Sequence, residues 1–297
     1  MALLHVGSGA GLGHLVNALR QGLRDSGYED GRNMILELRW ADGRYDRLPA
    51  LANELVQRKV DVIVTGGGEA SAHAAKNATA SIPIVFNIGN DPVQVGLVAS
   101  LGRPGGNITG VNIFTAEIAA KRLGLLHEFL PAGATVALLV NPNFPQTATN
   151  IVEVEAAAAK LGRQVLLFRA TSAAEIDAAF AELSQAQAKA LLVGADSFFY
   201  SRRQQLVELA LRYRIPAVYE QREFVLDGGL MSYGTKIIES YRQMGVYAGN
   251  ILKGAKPADL PVVQLSKFEL LINVKTARAL NLAIPSGMMA IADEVVE

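Results

Sequence analysis

The sequence predicts an α/β protein of two similar doubly wound parallel-sheet domains joined by a three-segment hinge. Three observations predict it. Apolar runs rich in β-branched residues alternate with helical patterns along most of the chain, the mark of βαβ units feeding a parallel sheet. The first half of the chain recurs in the second at an offset of about 130 residues. A chain of 297 residues, half of them hydrophobic, is long and apolar enough for two cores and is not disordered.

The elements follow in order. LLHV (3–6) is a short apolar run ahead of a glycine-rich turn, and residues 14–26 carry the first helical pattern. NMILELRW (33–40) reads as a strand, YDRLPALANELVQR (45–58) as a helix, VDVIVTG (60–66) as a strand, EASAHAAKNA (69–78) as a helix and IPIVFNIG (82–89) as a strand. The second half repeats the plan: strands at 135–141, 164–170, 188–196 and 215–221, with helices at 147–162, 172–186 and 201–214 between them. LMSYG (230–234), a helix over 237–254, the Pro-bounded KPADLPV (256–262), KFELLINV (267–274) and a short helix from Lys275 complete the chain.

The two halves match in more than element type. GRNMILEL (31–38) aligns with GRQVLLF (162–168), VDVIVTGGG (60–68) with ALLVGAD (190–196), and SIPIVFN (81–87) with RIPAVYE (214–220). A repeat of this length is a duplicated domain rather than a solenoid period, although a shared architecture without common ancestry would look alike. The elements after Gly228 are expected to cross back to the first domain and return to the second, through segments near 112–117, 228–235 and 262–267. The expected lobes are therefore 1–114 plus 235–263 and 115–234 plus 264–297. Open parallel sheets bind ligands outside the carboxyl ends of their strands. Two such domains facing across a hinge would line one cleft that closes on a ligand.

Composition narrows the partner. Lys plus Arg equals Asp plus Glu at 28 each, which gives no electrostatic footprint for nucleic acid or an acidic membrane. A small molecule is the expected partner, and the protein is expected to be a monomer without a cofactor. With no cysteine and four dispersed histidines, none at H-x-x-x-H spacing, neither thiol chemistry nor a zinc site is expected. No apolar stretch of about 18 residues is present to span a membrane. Nor does the start carry a basic segment followed by an apolar one. If the protein is exported, its leader has been removed and Met1 was added for expression.

The opening GSGAGLG (7–13) raises the question of a nucleotide site. The dinucleotide fingerprint G-x-G-x-x-G fails: from Gly7 the third glycine position holds Leu12, and from Gly9 it holds His14. A phosphate loop fails too, for no Lys follows. The stretch reads as a flexible strand-to-helix turn whose backbone N–H groups around Ser8 and Gly9 can hold an anionic or polar group.

The other candidate site residues come from the same strand ends. Gly66-Gly67-Gly68 with Ser71 suits a carboxylate at a helix N-terminus, or is a plain turn. Asn87 and Asp91 close the fourth strand; Asp91 before Pro92 reads more readily as a cap. In the second half, Asn141, Asp196, Phe198, Tyr219 and Glu220 occupy the matching positions, and Tyr233 lies in a presumed crossing strand. Aromatic rings there supply apolar walls at little conformational cost. One of Phe198 and Phe199 is expected in the core, and Trp40 is either cleft wall or core. Asp196 reads either as the anchor of a ligand amine, with Glu220 second, or as a cap for the helix near Ser201. The charged faces of 47–59 and 201–214 read as solvated.

GRNMILELRWADGRYDRLP (31–49) and DPVQVGLVASLGRPGGNITG (91–110), with GGLMSYG and ILKGAKPADLPV later, resemble the substrate-binding proteins of ABC transporters, in the group with tryptophan- and phenylalanine-binding members. The resemblance covers nearly the whole chain. It implies a type I periplasmic-binding-protein fold, a periplasmic or extracytoplasmic location, and delivery of an amino acid (aromatic or branched) or related carboxylate to a membrane ABC permease, without catalysis. The alternative is a two-domain Rossmann-like enzyme such as a glycosyltransferase, suggested by the opening glycines and His14. Against it stands the lack of any recognisable catalytic constellation. The effector domain of a transcription regulator would need a DNA-binding module that these residues do not supply.

Overall fold

The structure, a computed structural model, describes residues 1–113 and 118–297. The chain divides into two compact units, Met1–Phe114 with Ile237–Ser266 and Thr115–Lys236 with Lys267–Glu297. Most of the expected first crossing near 112–117 lies outside the described residues.

Unit 1 contains β1 (Ala2–His5), α1 (Gly13–Asp25), β2 (Glu37–Trp40), α2 (Leu48–Gln57), β3 (Ile63–Gly66), α3 (Glu69–Ala78), β4 (Ile84–Ile88) and β5 (Ile108–Asn112). Unit 2 continues with α4 (Ile118–His127), β6 (Val136–Val140), α5 (Thr147–Lys160), β7 (Val165–Arg169), α6 (Ala173–Gln185), β8 (Ala190–Val193), α7 (Ser197–Ser201), α8 (Arg203–Arg212), β9 (Ala217–Tyr219), α9 (Arg222–Leu226) and β10 (Met231–Thr235). The chain then gives α10 (Ile237–Leu252) and β11 (Val263–Gln264) to unit 1. It ends in unit 2 with β12 (Phe268–Asn273), α11 (Val274–Ala279), α12 (Ser286–Ile291) and β13 (Glu294–Val296).

The two sheets share one winding. Unit 1 runs β2-β1-β3-β4-β5-β11 and unit 2 runs β7-β6-β8-β9-β10-β12-β13. All pairings in the first sheet are parallel, and in the second only β10 with β12 is antiparallel. Central strands β1, β3, β4, β6 and β8 are buried at every position, whereas edge strands β2 and β7 are half-buried apart from the exposed Arg169. That is why the central strands read as continuous apolar runs: helices cover both faces of the sheet, so no face asks for alternation.

Two expectations shift for local reasons. The strand expected from residue 33 begins at Glu37, because the Asp30 carboxylate accepts from the Leu36 N–H at 2.9 Å and from Arg20 at 3.0 Å, holding the preceding residues in a turn. The strand expected to reach 196 ends at Val193, because Asp196 caps α7, a helix the sequence did not announce. In unit 1, α10 packs on α1 with backbone against backbone. A Cβ on Gly22 would collide with the Arg242 carbonyl, and one on Gly245 with the Leu19 carbonyl.

Candidate functional site

In both sheets the strand order reverses direction of growth beside the first strand, between β1 and β3 and between β6 and β8. Such a switch point opens a crevice at the carboxyl ends of the strands. The sequence places its loops of unusual chemistry at these two points.

In unit 1, β1 ends at His5 and β3 at Gly66. The His5 ring is 2% exposed. Its Nδ1 accepts the Gly7 backbone N–H at 2.8 Å, and its Nε2 lies 2.8 Å from the Tyr241 hydroxyl on α10. Burial holds the imidazole neutral, with its pKa lowered from 6.5 to about 3. Trp40, half-buried at the end of β2, sets its ring 5.3 Å from that of His5, and its Nε1 flanks Gly9 closely enough that a Cβ there would lie 3.0 Å away. Ser8 is half-buried and Gly9 exposed.

Across the switch point, Gly67 (φ 81°) and Gly68 (φ 104°) turn the chain into α3, and no side chain caps that helix. Both glycines adopt the left-handed region that a side chain would strain. Ser71, in the first turn of α3, is fully buried and its hydroxyl has no partner among the described residues. Asn87 on β4 donates to the Ser240 hydroxyl, which donates to the Ile237 carbonyl at 2.7 Å. The acids nearby are engaged. Glu69 accepts from Asn90 at 3.0 Å, and Asp91 accepts from the Val93 N–H at 2.8 Å, capping its own turn.

In unit 2, Asn141 follows β6 and donates to the Asp196 carboxylate at 3.2 Å. The same Asp196 oxygen accepts the N–H groups of Phe198 at 2.8 Å and Phe199 at 3.3 Å, the geometry of an N-cap. Glu220, half-buried after β9, lies in one recess with Asp196, Tyr200, Gln221 and Phe224. Burial raises its pKa; the positive charge of Arg122 works against that rise and the charge of Asp196 adds to it. Arg122 reaches from α4 with 1% exposure; its Nη1 is 3.5 Å from the Val193 carbonyl and its Nε has no partner among the described residues.

The rings divide. Phe198 and Phe199 are both buried, and Tyr219 is wholly enclosed, stacked on Phe224 with centroids 4.4 Å apart. Tyr233, on β10 within unit 2, is half-buried and stacks on Phe268 at 5.8 Å. Sequence reasoning passed over Tyr241, Ser240 and Arg122. Each sits inside a helical pattern, where nothing local separates a site residue from a packing residue.

The ABC transporter substrate binding protein family model matches residues 1–296. A tyrosine-binding protein of Clostridioides difficile is 28% identical over 264 residues, which are 88% of this chain and 74% of that protein. An ABC-domain protein from Streptococcus pneumonia, solved in complex with L-Trp, superposes with a TM-score of 0.84 at 26% identity, covering 99% of this chain and 98% of that one. A conserved domain protein from Vibrio cholerae superposes with a TM-score of 0.86 at 25% identity over the same shares.

Proposed function

The chain belongs to the ABC transporter substrate-binding proteins, and from that premise we propose that it captures a small zwitterion, an amino acid with an aromatic side chain, outside the cytoplasm and hands it to a membrane permease without changing it. One observation carries the ligand class: polar chemistry is divided between the two switch points. Unit 1 offers hydroxyl, amide and backbone donors beside a neutral imidazole, with its nearby acids engaged elsewhere. Unit 2 offers the carboxylates of Asp196 and Glu220, with the guanidinium of Arg122 acting on Glu220. Uncharged donors at strand ends suit a carboxylate; paired carboxylates suit an ammonium. The relatives support this reading, one named for tyrosine and one holding L-Trp.

In this assignment Ser8, Gly9, Gly67, Ser71 and Asn87 serve the carboxylate, Asp196 and Glu220 the ammonium, and Trp40 and Tyr233 offer half-exposed rings to the side chain. Asn141 fixes Asp196, while Phe198 and Tyr219 back the recess from within the core. Titration calorimetry with L-tryptophan, L-tyrosine, L-leucine, L-tryptophanamide and indole-3-propionate tests it. The aromatic amino acids should bind, and removing either charge should cost most of the affinity. Binding should leave the ligand chemically intact after long incubation. Equal affinity for the amide and the parent acid would sink the zwitterion reading, and steady turnover would favour the enzyme alternative.

A further inference from the structure

The hydrogen bonds of His5 leave one buried donor beside it without an acceptor among the described residues. The Gly7 backbone N–H can only donate, so His5 Nδ1, 2.8 Å away, is the acceptor and carries no proton. A neutral ring then holds its proton on Nε2, 2.8 Å from Tyr241 Oη. The imidazole therefore donates and the phenol accepts. That direction leaves the hydroxyl proton of Tyr241 with no acceptor among the described residues. The side chain is 1% exposed. A buried donor without an acceptor is costly, and a ligand oxygen would relieve it.

The location agrees. Tyr241 Oη sits against the end of β3, so close that a Cβ on Gly66 would collide with it, and the Gly67 backbone amide lowers its pKa against the larger rise from burial. Gly67 and Gly68 lead into the uncapped start of α3, a helix of ten residues, where the hydroxyl of Ser71 is buried and has no partner among the described residues. Around one strand-to-helix turn, then, the α10 phenol has a proton without an acceptor and the α3 hydroxyl has no partner among the described residues.

We propose that Tyr241 is a direct hydrogen-bond donor to the anionic group of the ligand at the head of α3, and that His5 is the positioning residue that commits the phenol to donating there. The assignment rests on the carboxylate-binding reading above and names the side chain that selects for it. His5 acts through two bonds at once: Nδ1 fixes the turn at Gly7, and Nε2–H occupies the phenol oxygen. If the imidazole carried its proton on Nδ1 instead, Tyr241 would donate to Nε2 and have nothing left for a ligand.

The test is calorimetry with L-tryptophan and L-tryptophanamide on the wild-type chain, Tyr241→Phe and His5→Asn, with ¹⁵N spectra of the histidine rings. The phenylalanine keeps the ring packing, and the asparagine keeps an acceptor for Gly7 N–H. We expect Tyr241→Phe to lose about tenfold in affinity for L-tryptophan while binding the amide within about twofold of wild type, with a free-protein melting temperature unchanged or raised. His5→Asn should lose part of the same preference. A wild type that prefers the acid together with a Tyr241→Phe that keeps the full preference overturns this assignment and leaves the carboxylate reading standing. A wild type with no preference, or that binds neither probe, overturns both. Independently of any ligand, the His5 ring should show the Nε2–H tautomer between pH 5 and 8; an Nδ1–H ring removes the basis of the proposal.

Discussion

His5 makes the stability of the fold depend on pH. Its folded pKa is depressed from 6.5 to about 3, so the folded ring stays neutral while the unfolded ring takes up a proton below pH 6.5. The contribution of the buried neutral ring is fully present above about pH 6.5 and is lost as the pH falls, at up to about 1.4 kcal/mol per pH unit. Between pH 7 and pH 5 the wild type should lose about 2 kcal/mol more than His5→Asn in urea unfolding; parallel losses in the two proteins would show that the ring is not held neutral. Asp196 separates two roles in one residue. Asn caps a helix about as well as Asp, so Asp196→Asn should leave the melting temperature of the free protein nearly constant. If its charge also serves the ammonium, as proposed, affinity for L-tryptophan should fall by about one to two orders of magnitude. Unchanged affinity would leave Asp196 a cap alone and Glu220 as the anchor.

At the scale of elements, the crossing of α1 and α10 decides where Tyr241 and Ser240 stand. Gly22 and Gly245 let the two backbones touch, and a methyl group at either meets a carbonyl rather than a flexible side chain. Gly245→Ala should therefore destabilise the protein by roughly 1–3 kcal/mol in chemical denaturation. It should also weaken binding of L-tryptophan, because the helix that carries Tyr241 must move. Full retention of both would mean that the crossing has slack. The elements themselves were largely legible. Continuous apolar runs mark the central strands because both faces are covered, and α3 occupies the span 69–78 that its alanine-rich pattern defines. What escaped is short or locally ambiguous. β5 has Gly110 at its centre and a weak strand pattern, α7 and α9 have five residues each, and the Asp30 turn cuts back a strand whose apolar run already begins at Met34.

Across the whole molecule, the duplicated plan was readable because it repeats in order and spacing, and the sheets share the winding of their first five strands. Half of the candidate site was readable for the same reason, since strand ends and the loops after them carry Gly67, Asn87, Asn141, Asp196 and Glu220. The other half was not, because the bond from His5 to Tyr241 spans 236 residues of sequence and leaves no local trace. Ligand capture by the folded state alone predicts a melting temperature that climbs with the logarithm of ligand concentration, with about 2.7 kcal/mol of added stability at a hundredfold excess over Kd. A thermal-shift series with L-tryptophan checks it; a flat series would exclude that amino acid as the ligand. The balanced charge, 28 against 28, further predicts that this affinity changes little with salt.

The chain passes from unit 1 to unit 2 and back before either is finished, and this bears on how the protein is made. Unit 1 lacks α10 and β11, and unit 2 lacks β12 and β13, until residues beyond 236 have been synthesised. A domain whose sequence is continuous can fold behind the ribosome as soon as it emerges; here neither can. About four-fifths of the polypeptide must wait as an incomplete thread, with the helix that positions Tyr241 still to come. Completion of the two units is thereby coupled: both wait for the same segment, residues 237–297.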